Sequence, residues 1–112
     1  MSQPGADATP PGPVRVRVAM PAQLRDLAKV TGEVAVEVPP PVTLAATLDA
    51  LEAAHPTLAG TIRDRDSGRR RPMIRIYADG EDYSDAPATA TLPTPVVTAR
   101  EPLRLVGSIA GG

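Results

Sequence analysis

The sequence ends on two consecutive glycines, Gly111 and Gly112, which places a carboxylate on a stalk without side chains. Inside a chain such a pair marks a turn that needs positive φ, but here nothing follows to be turned. Two residues without Cβ can pass extended through a slot too narrow for side chains, and they leave the terminal carboxyl carbon open to attack. Those are the properties of a tail processed in another protein's active site. The Gly112 carboxylate is then the reacting group, and Ile109, Ala110 and Gly111 are the segment threaded behind it. The competing reading is a frayed terminus without a role.

Other chemistry-bearing residues are few. His55 is the only histidine, and Ser67, Ser84 or Ser108 with an aspartate would complete a hydrolytic triad on paper, but no spacing supports one. His55 reads instead as a cation-capable residue near a helix C-terminus. The run Arg69-Arg70-Arg71 is a candidate docking site for an acidic partner surface, against the alternative of a solvated loop. Neither a P-loop nor a dinucleotide fingerprint is present, and the metal-ligating side chains are too few to propose a site.

Composition narrows the classes further. The 112 residues suit one domain, with a modest core drawn from Val, Leu, Ile and Ala because Phe and Trp are absent and there are two Tyr. A net charge of −1 from 12 basic and 13 acidic residues argues against a nucleic-acid binder. The lack of cysteine excludes disulfides, thiolate metal sites and thiol catalysis. No signal peptide is evident and no apolar run approaches the ~20 residues of a membrane-spanning helix, so the chain reads as cytoplasmic.

The elements that would carry the tail follow from periodicity. Residues 1–13 hold four prolines and two glycines and read as a disordered extension, with the folded domain spanning 14–112 and ending in a flexible Gly-Gly tail. Residues 14–18 and 33–38 alternate with period two, which predicts an antiparallel pair of half-buried strands, with a helical turn at Leu24, Leu27 and Ala28 between them. Thr43 is placed to cap a helix whose Leu44, Leu48 and Leu51 fall on one face while Asp49 and Glu52 look outward; Pro56 ends it near His55. A further helical turn holds Leu58 and Ile62, and residues 64–72 form a charged loop. A third strand covers 73–78 and closes on Asp79-Gly80. Between 81 and 101 only Val96-Val97 suggests a short strand, and 102–106 is the last strand, beside the first, running into the tail. This order predicts an α+β fold, a mixed sheet of four or five strands covered by one main helix, as in the β-grasp.

With that order, and with Leu103-Arg104-Leu105-Val106-Gly107-Ser108-Ile109-Ala110-Gly111-Gly112 at its end, the chain resembles the MoaD/ThiS family of ubiquitin-like sulfur carriers from Val14 onward. Thr43-Leu44 with Leu48, Leu51 and Pro56, and Ile76-Tyr77 before Asp79-Gly80-Glu81-Asp82, support the likeness. Leu51-Glu52-Ala53 and Ile76-Tyr77 with Glu81-Asp82 look most like carriers that deliver sulfur for cysteine biosynthesis in actinobacteria. The small subunit of molybdopterin synthase usually has Pro-Pro where Val106-Gly107-Ser108 stands here, and residues 86–99 are longer and richer in proline, so the acceptor pathway stays open among cysteine, molybdopterin and thiamine types.

The resemblance implies a co-substrate without catalytic residues or a bound cofactor. An E1-like (MoeB/ThiF-type) enzyme would use ATP to adenylate Gly112, a sulfur donor would convert the acyl-adenylate to a thiocarboxylate, and a downstream synthase would accept the sulfur. The same activated carboxylate could instead be joined to a lysine, as in a ubiquitin-like protein modifier. The third reading is a β-grasp interaction module whose glycines are incidental.

Overall fold

The structure, a computed structural model, describes residues 12–107. The expected front extension, apart from Gly12 and Pro13, and the tail from Ser108 to Gly112 lie outside the described residues. In chain order the elements are β1 (Val14–Ala19), α1 (Ala22–Ala28), β2 (Val34–Val38), α2 (Leu44–Ala54), a 3-10 turn (Pro56–Leu58), β3 (Ile74–Ala78), β4 (Glu81–Asp82), α3 (Thr94–Val97) and β5 (Leu103–Gly107).

The five strands form one mixed sheet in the order β2-β1-β5-β3-β4, the ubiquitin-like β-grasp that the element order predicted. β1 pairs antiparallel with β2, as the two alternating segments implied, and parallel with β5. β5 is therefore central, flanked on its other side by antiparallel β3. The two-residue connection between β3 and β4 has positive φ at both Asp79 (52°) and Gly80 (78°), which suits the right-handed twist of a tight hairpin.

The period-two patterning sends Val16, Val18, Val36, Val38, Ile74, Ile76, Leu103 and Leu105 to one face of the sheet, where they form a single cluster with Leu44, Leu48 and Leu51 of α2. α2 starts where predicted, because the Thr43 hydroxyl accepts from the Ala46 amide at 3.0 Å. A helix N-terminus has four amides without intrahelical partners, and two more of these are met from a distance. Leu44 donates to the Ala90 carbonyl (2.9 Å) and Ala45 to the Ala88 carbonyl (3.0 Å). The proline-rich segment is thus a strap across the start of α2, held also by Leu92 N–H to the Val42 carbonyl at 2.9 Å.

Four expectations need correction. β4 lies at Glu81–Asp82, whereas the sequence suggests a strand between 81 and 101 only at Val96-Val97; the Asp79-Gly80 turn folds the chain back on β3. The turn after α2 ends at Leu58 and leaves Ile62 outside it. The strand at Val96-Val97 is instead the short helix α3, because Pro95 lies in its first turn, where a ring-fixed φ and a missing N–H cost nothing. Its Val96 is fully buried, and α3 packs against β1. Glu52 does not look outward: its carboxylate accepts from Arg63 Nε (3.1 Å) and Nη2 (3.0 Å), and its side chain is 19% exposed. Asp49, also bound by Arg63 at 2.8 Å, stays exposed as expected.

Candidate functional site

The carboxylate-bearing tail leaves the fold at the end of β5, so the described part of the site is the root of that tail. Leu103 and Leu105 are buried in the core, while Arg104 and Val106 face the other side of the sheet. β1 pairs with Leu103 and Arg104 at the start of β5 and β3 pairs with all of Leu103 to Gly107, so the β3 ladder fixes the position of the strand's end. At Gly107 a Cβ would meet the Pro21 ring at 3.7 Å and Gln23 Oε1 at 3.8 Å, ordinary contact distances. The start of α1 is therefore the neighbour of the exit. Ile109, Ala110, Gly111 and Gly112, the predicted reactive segment, lie outside the described residues.

Below the exit is a cleft of about 300 Å³ whose walls include Pro21, Leu24, Thr61, Met73, Ile74 and Gly107. The opposite face of the sheet is polar with an apolar island. There Val106, 41% exposed, lies opposite Arg75, and Tyr77 lies opposite Arg104. Three of the arginines on this face are paired. Arg15 lies 3.7 Å from Glu37, Arg17 grips Glu33 through Nε (2.9 Å) and Nη2 (3.2 Å), and Arg75 donates to Asp82. The bond from Arg17 holds the Glu33 carboxyl below its ordinary range. Arg104, beside Val106, makes no hydrogen bond among the described residues and adds its charge to the pull of Arg17 on the Glu33 carboxyl.

Asp82 is the most strongly perturbed acid of this face. The Ser84 hydroxyl and the Ser84 amide (2.8 Å) both stabilise its charged form, with Arg75 adding to them, and its pKa falls to about 2. Unfolding restores a value of about 3.9, so below that the unfolded chain takes up the proton first. The stabilisation by this carboxylate is complete above about pH 4 and is lost as pH falls through about 2. Asp82→Asn is expected to flatten the decline of stability across that window, and urea midpoints measured from pH 5 down to 2 check it.

The arginine run proposed for docking divides into unlike residues. Arg70, its side chain 19% exposed, donates to the carbonyls of Ser84 (2.8 Å), Ile74 (2.7 Å) and Arg71 (3.0 Å) and reaches Asp85 at 3.3 Å. It ties the 64–72 loop to the strand pair behind it. Arg71 donates to the Gly60 carbonyl at 2.9 Å and lies 3.5 Å from Asp64. Only Arg69 leaves its guanidinium without a partner among the described residues, at the rim of a second cleft of about 460 Å³ that includes Arg63, Ser84 and Asp85. Arg70→Ala, which strands the part-buried carbonyls of Ser84 and Ile74, should cost about 1–3 kcal/mol, whereas Arg69→Ala should stay within about 0.5 kcal/mol; paired urea denaturation curves compare them.

The remaining candidates have structural positions. His55 is the C-cap of α2, its amide donating to the Leu51 carbonyl at 2.9 Å. The buried Ser84 hydroxyl accepts from the Ile76 amide at 2.8 Å, and the Ser67 hydroxyl accepts from the Arg69 amide at 3.2 Å in the turn that Asp64 organises. Among the described residues no three His, Cys, Asp or Glu side chains converge as a metal site would require, and no helix is long and apolar enough to cross a membrane. Sequence reasoning passed over Lys29, the only lysine in the chain. It is exposed at the C-cap of α1 with φ of 59°.

Comparison with known proteins places this geometry. No protein-family model matches the chain, and no curated protein does. Solved structures do. SAMP1 from Haloferax volcanii superposes with a TM-score of 0.68 at 26% identity over 88% of this chain and 99% of that one. A chain of the Amycolatopsis orientalis BexX/CysO complex gives 0.67 at 19% identity over 87% and 99%. Mycobacterium tuberculosis CysO gives 0.65 at 22% identity over 84% and 99%. These neighbours are small proteins of one fold, and one of them was solved in complex with a partner protein.

Proposed function

We propose that this ubiquitin-like β-grasp protein, whose structural neighbours are of the MoaD/ThiS type, is a sulfur carrier activated at the carboxylate of Gly112. The observation that carries the reading is the central position of β5: β1 holds its start, at Leu103 and Arg104, and β3 holds it along its length to Gly107, with Ile109-Ala110-Gly111-Gly112 following in sequence. The fold shared with SAMP1 across nearly the whole of that chain supports it.

The chemistry needs nothing from the domain itself. A carboxylate oxygen of Gly112 attacks the α-phosphorus of ATP in the active site of an E1-like enzyme, and pyrophosphate leaves. The acyl carbon now carries AMP, a good leaving group, in place of oxide. Hydrosulfide delivered by the donor attacks that carbon, AMP leaves as the bond to it breaks, the proton passes to solvent, and a thiocarboxylate remains for an accepting synthase. In a chain without cysteine, the terminus is the place where this sulfur can sit. Kinship with the cysteine-biosynthesis carriers fits the presence of CysO among the neighbours.

A second reading has its own support. SAMP1 is the small archaeal modifier protein 1, and a modifier would join the same activated Gly112 to a lysine. Intact mass after incubation with ATP, the activating enzyme and a sulfur source separates the two. A carrier gains the mass of one oxygen exchanged for sulfur, and a modifier appears as adducts on other proteins. An unchanged mass with no adducts would leave the interaction module.

A further inference from the structure

We infer that the cleft bordered by Arg69 and Arg70 is a docking site for an acidic segment of a partner protein, one that carries an aliphatic side chain beside its carboxylate. The lining joins Leu44 and Leu48 of α2 and Ile76 of β3 to Arg63, Arg69 and Arg70 of the loop between those elements. Its volume of about 460 Å³ lies within the range of ligand sites, about 300–1,000 Å³. It shares no lining residue with the cleft at the end of β5, so the inference stands apart from the carrier reading.

The three arginines are unequally committed. Arg63 is neutralised by Glu52 and Asp49. Arg70 is rooted through Nε on the Ser84 carbonyl and through Nη1 on those of Ile74 and Arg71, while its Nη2 meets Asp85 alone, at 3.3 Å. The Asp85 side chain is 89% exposed, and an ion pair of that kind contributes little to stability. An incoming carboxylate can therefore replace it without loss to the fold. The guanidinium of Arg69 has no partner among the described residues. Two consecutive arginines thus offer donors to one cleft, and Asp85 stands where a partner's carboxylate would stand.

The apolar part of the lining sets the rest of the occupant. Leu44, Leu48 and Ile76 are core residues, and Ala45, Ala86 and Ala88 leave room beside them. A bare anion would use none of this surface. The first amides of α2 offer it nothing either, since Leu44, Ala45 and Ala46 already donate to the Ala90 and Ala88 carbonyls and the Thr43 hydroxyl. A segment with a carboxylate for the guanidinium groups and a neighbouring aliphatic side chain for the alanine and leucine surface satisfies both halves. A net charge of −1 gives the chain no long-range pull on acidic proteins, so recognition rests on this local pairing.

NMR titration of the full chain with a blocked peptide, in which one leucine lies between two glutamates, tests the site. Saturable shifts of the Arg69 Nε–H signal and of the Leu44 and Leu48 methyls are expected. Arg69→Ala should weaken binding about tenfold, the worth of one charge-assisted hydrogen bond, and glutamine in place of the peptide's glutamates should abolish it. Asp85→Asn, which releases Arg70 Nη2, should tighten binding several-fold. Glu37→Gln makes the same charge change on the opposite face of the sheet and should leave the affinity as it was. No saturable shift at peptide concentrations on the order of 10 mM, or full affinity in Arg69→Ala, would overturn the proposal. So would equal tightening by Asp85→Asn and Glu37→Gln, which would make the effect one of net charge. Inorganic phosphate or hexanoate binding as tightly as the peptide would show a site for small anions or small acids in place of a docking site.

Discussion

Adding one residue after Gly112, or deleting Gly111 and Gly112, is expected to abolish adenylation while leaving the melting temperature nearly unchanged. The extension moves the carboxylate by about 3.5 Å, and a displacement of about 1 Å at a reacting group already costs on the order of 100-fold. The deletion removes the two residues that can pass a narrow slot. Neither change touches the core, whose last strand contributes Leu103 and Leu105, several residues upstream. Gly111→Ala and Gly111→Val should fall between, worsening with side-chain size. Pyrophosphate release with the cognate enzyme, run beside a thermal melt for each variant, measures both halves. Normal adenylation of the extended protein would end the carrier reading and favour the interaction module.

Leu48→Ala should lower stability by about 2–5 kcal/mol, the range for deleting a buried leucine side chain. Leu48 is 3% exposed in a core without Phe or Trp, where each aliphatic residue carries a large share of the burial. A domain is stable by about 5–15 kcal/mol, so the variant approaches the threshold of folding. Leu27, 44% exposed on α1, is the control, and Leu27→Ala should change stability by about 0.5 kcal/mol or less. The two urea midpoints decide: equal values would mean that α2 does not cover the sheet through Leu48.

Where a local pattern reports burial directly, the fold was legible. β1, β2 and β5 each bury one face, so Val14 to Val18, Val34 to Val38 and Leu103 to Val106 alternate visibly. Thr43 and the leucine spacing marked α2 in the same way. Misreadings arose where the deciding contact is remote. The propensity of Val96-Val97 favours a strand, but Pro95 sets the backbone and the core claims Val96. Glu52 was placed by spacing on the polar side of its helix and is recruited by Arg63, eleven residues away.

The surroundings of the candidate site were not legible in the sequence. Gly111 and Gly112 lie outside the described residues and stand as expectations. Arg69, Arg70 and Arg71 are identical as letters, and only the carbonyls of Ile74 and Ser84 around Arg70 separate an anchor from an exposed charge. The cleft is assembled from residues near 21, 61, 73 and 107, too far apart in sequence for any local signal.

The placement of β5 between parallel β1 and antiparallel β3 has a mechanical consequence. A pull on the chain end along the strand axis loads both ladders in shear. Their hydrogen bonds must then yield together rather than peel one at a time, as they would from the β4 edge. A load applied at Gly107 is therefore met by the whole β3–β5 ladder, and the domain behind it is slow to unravel from that end.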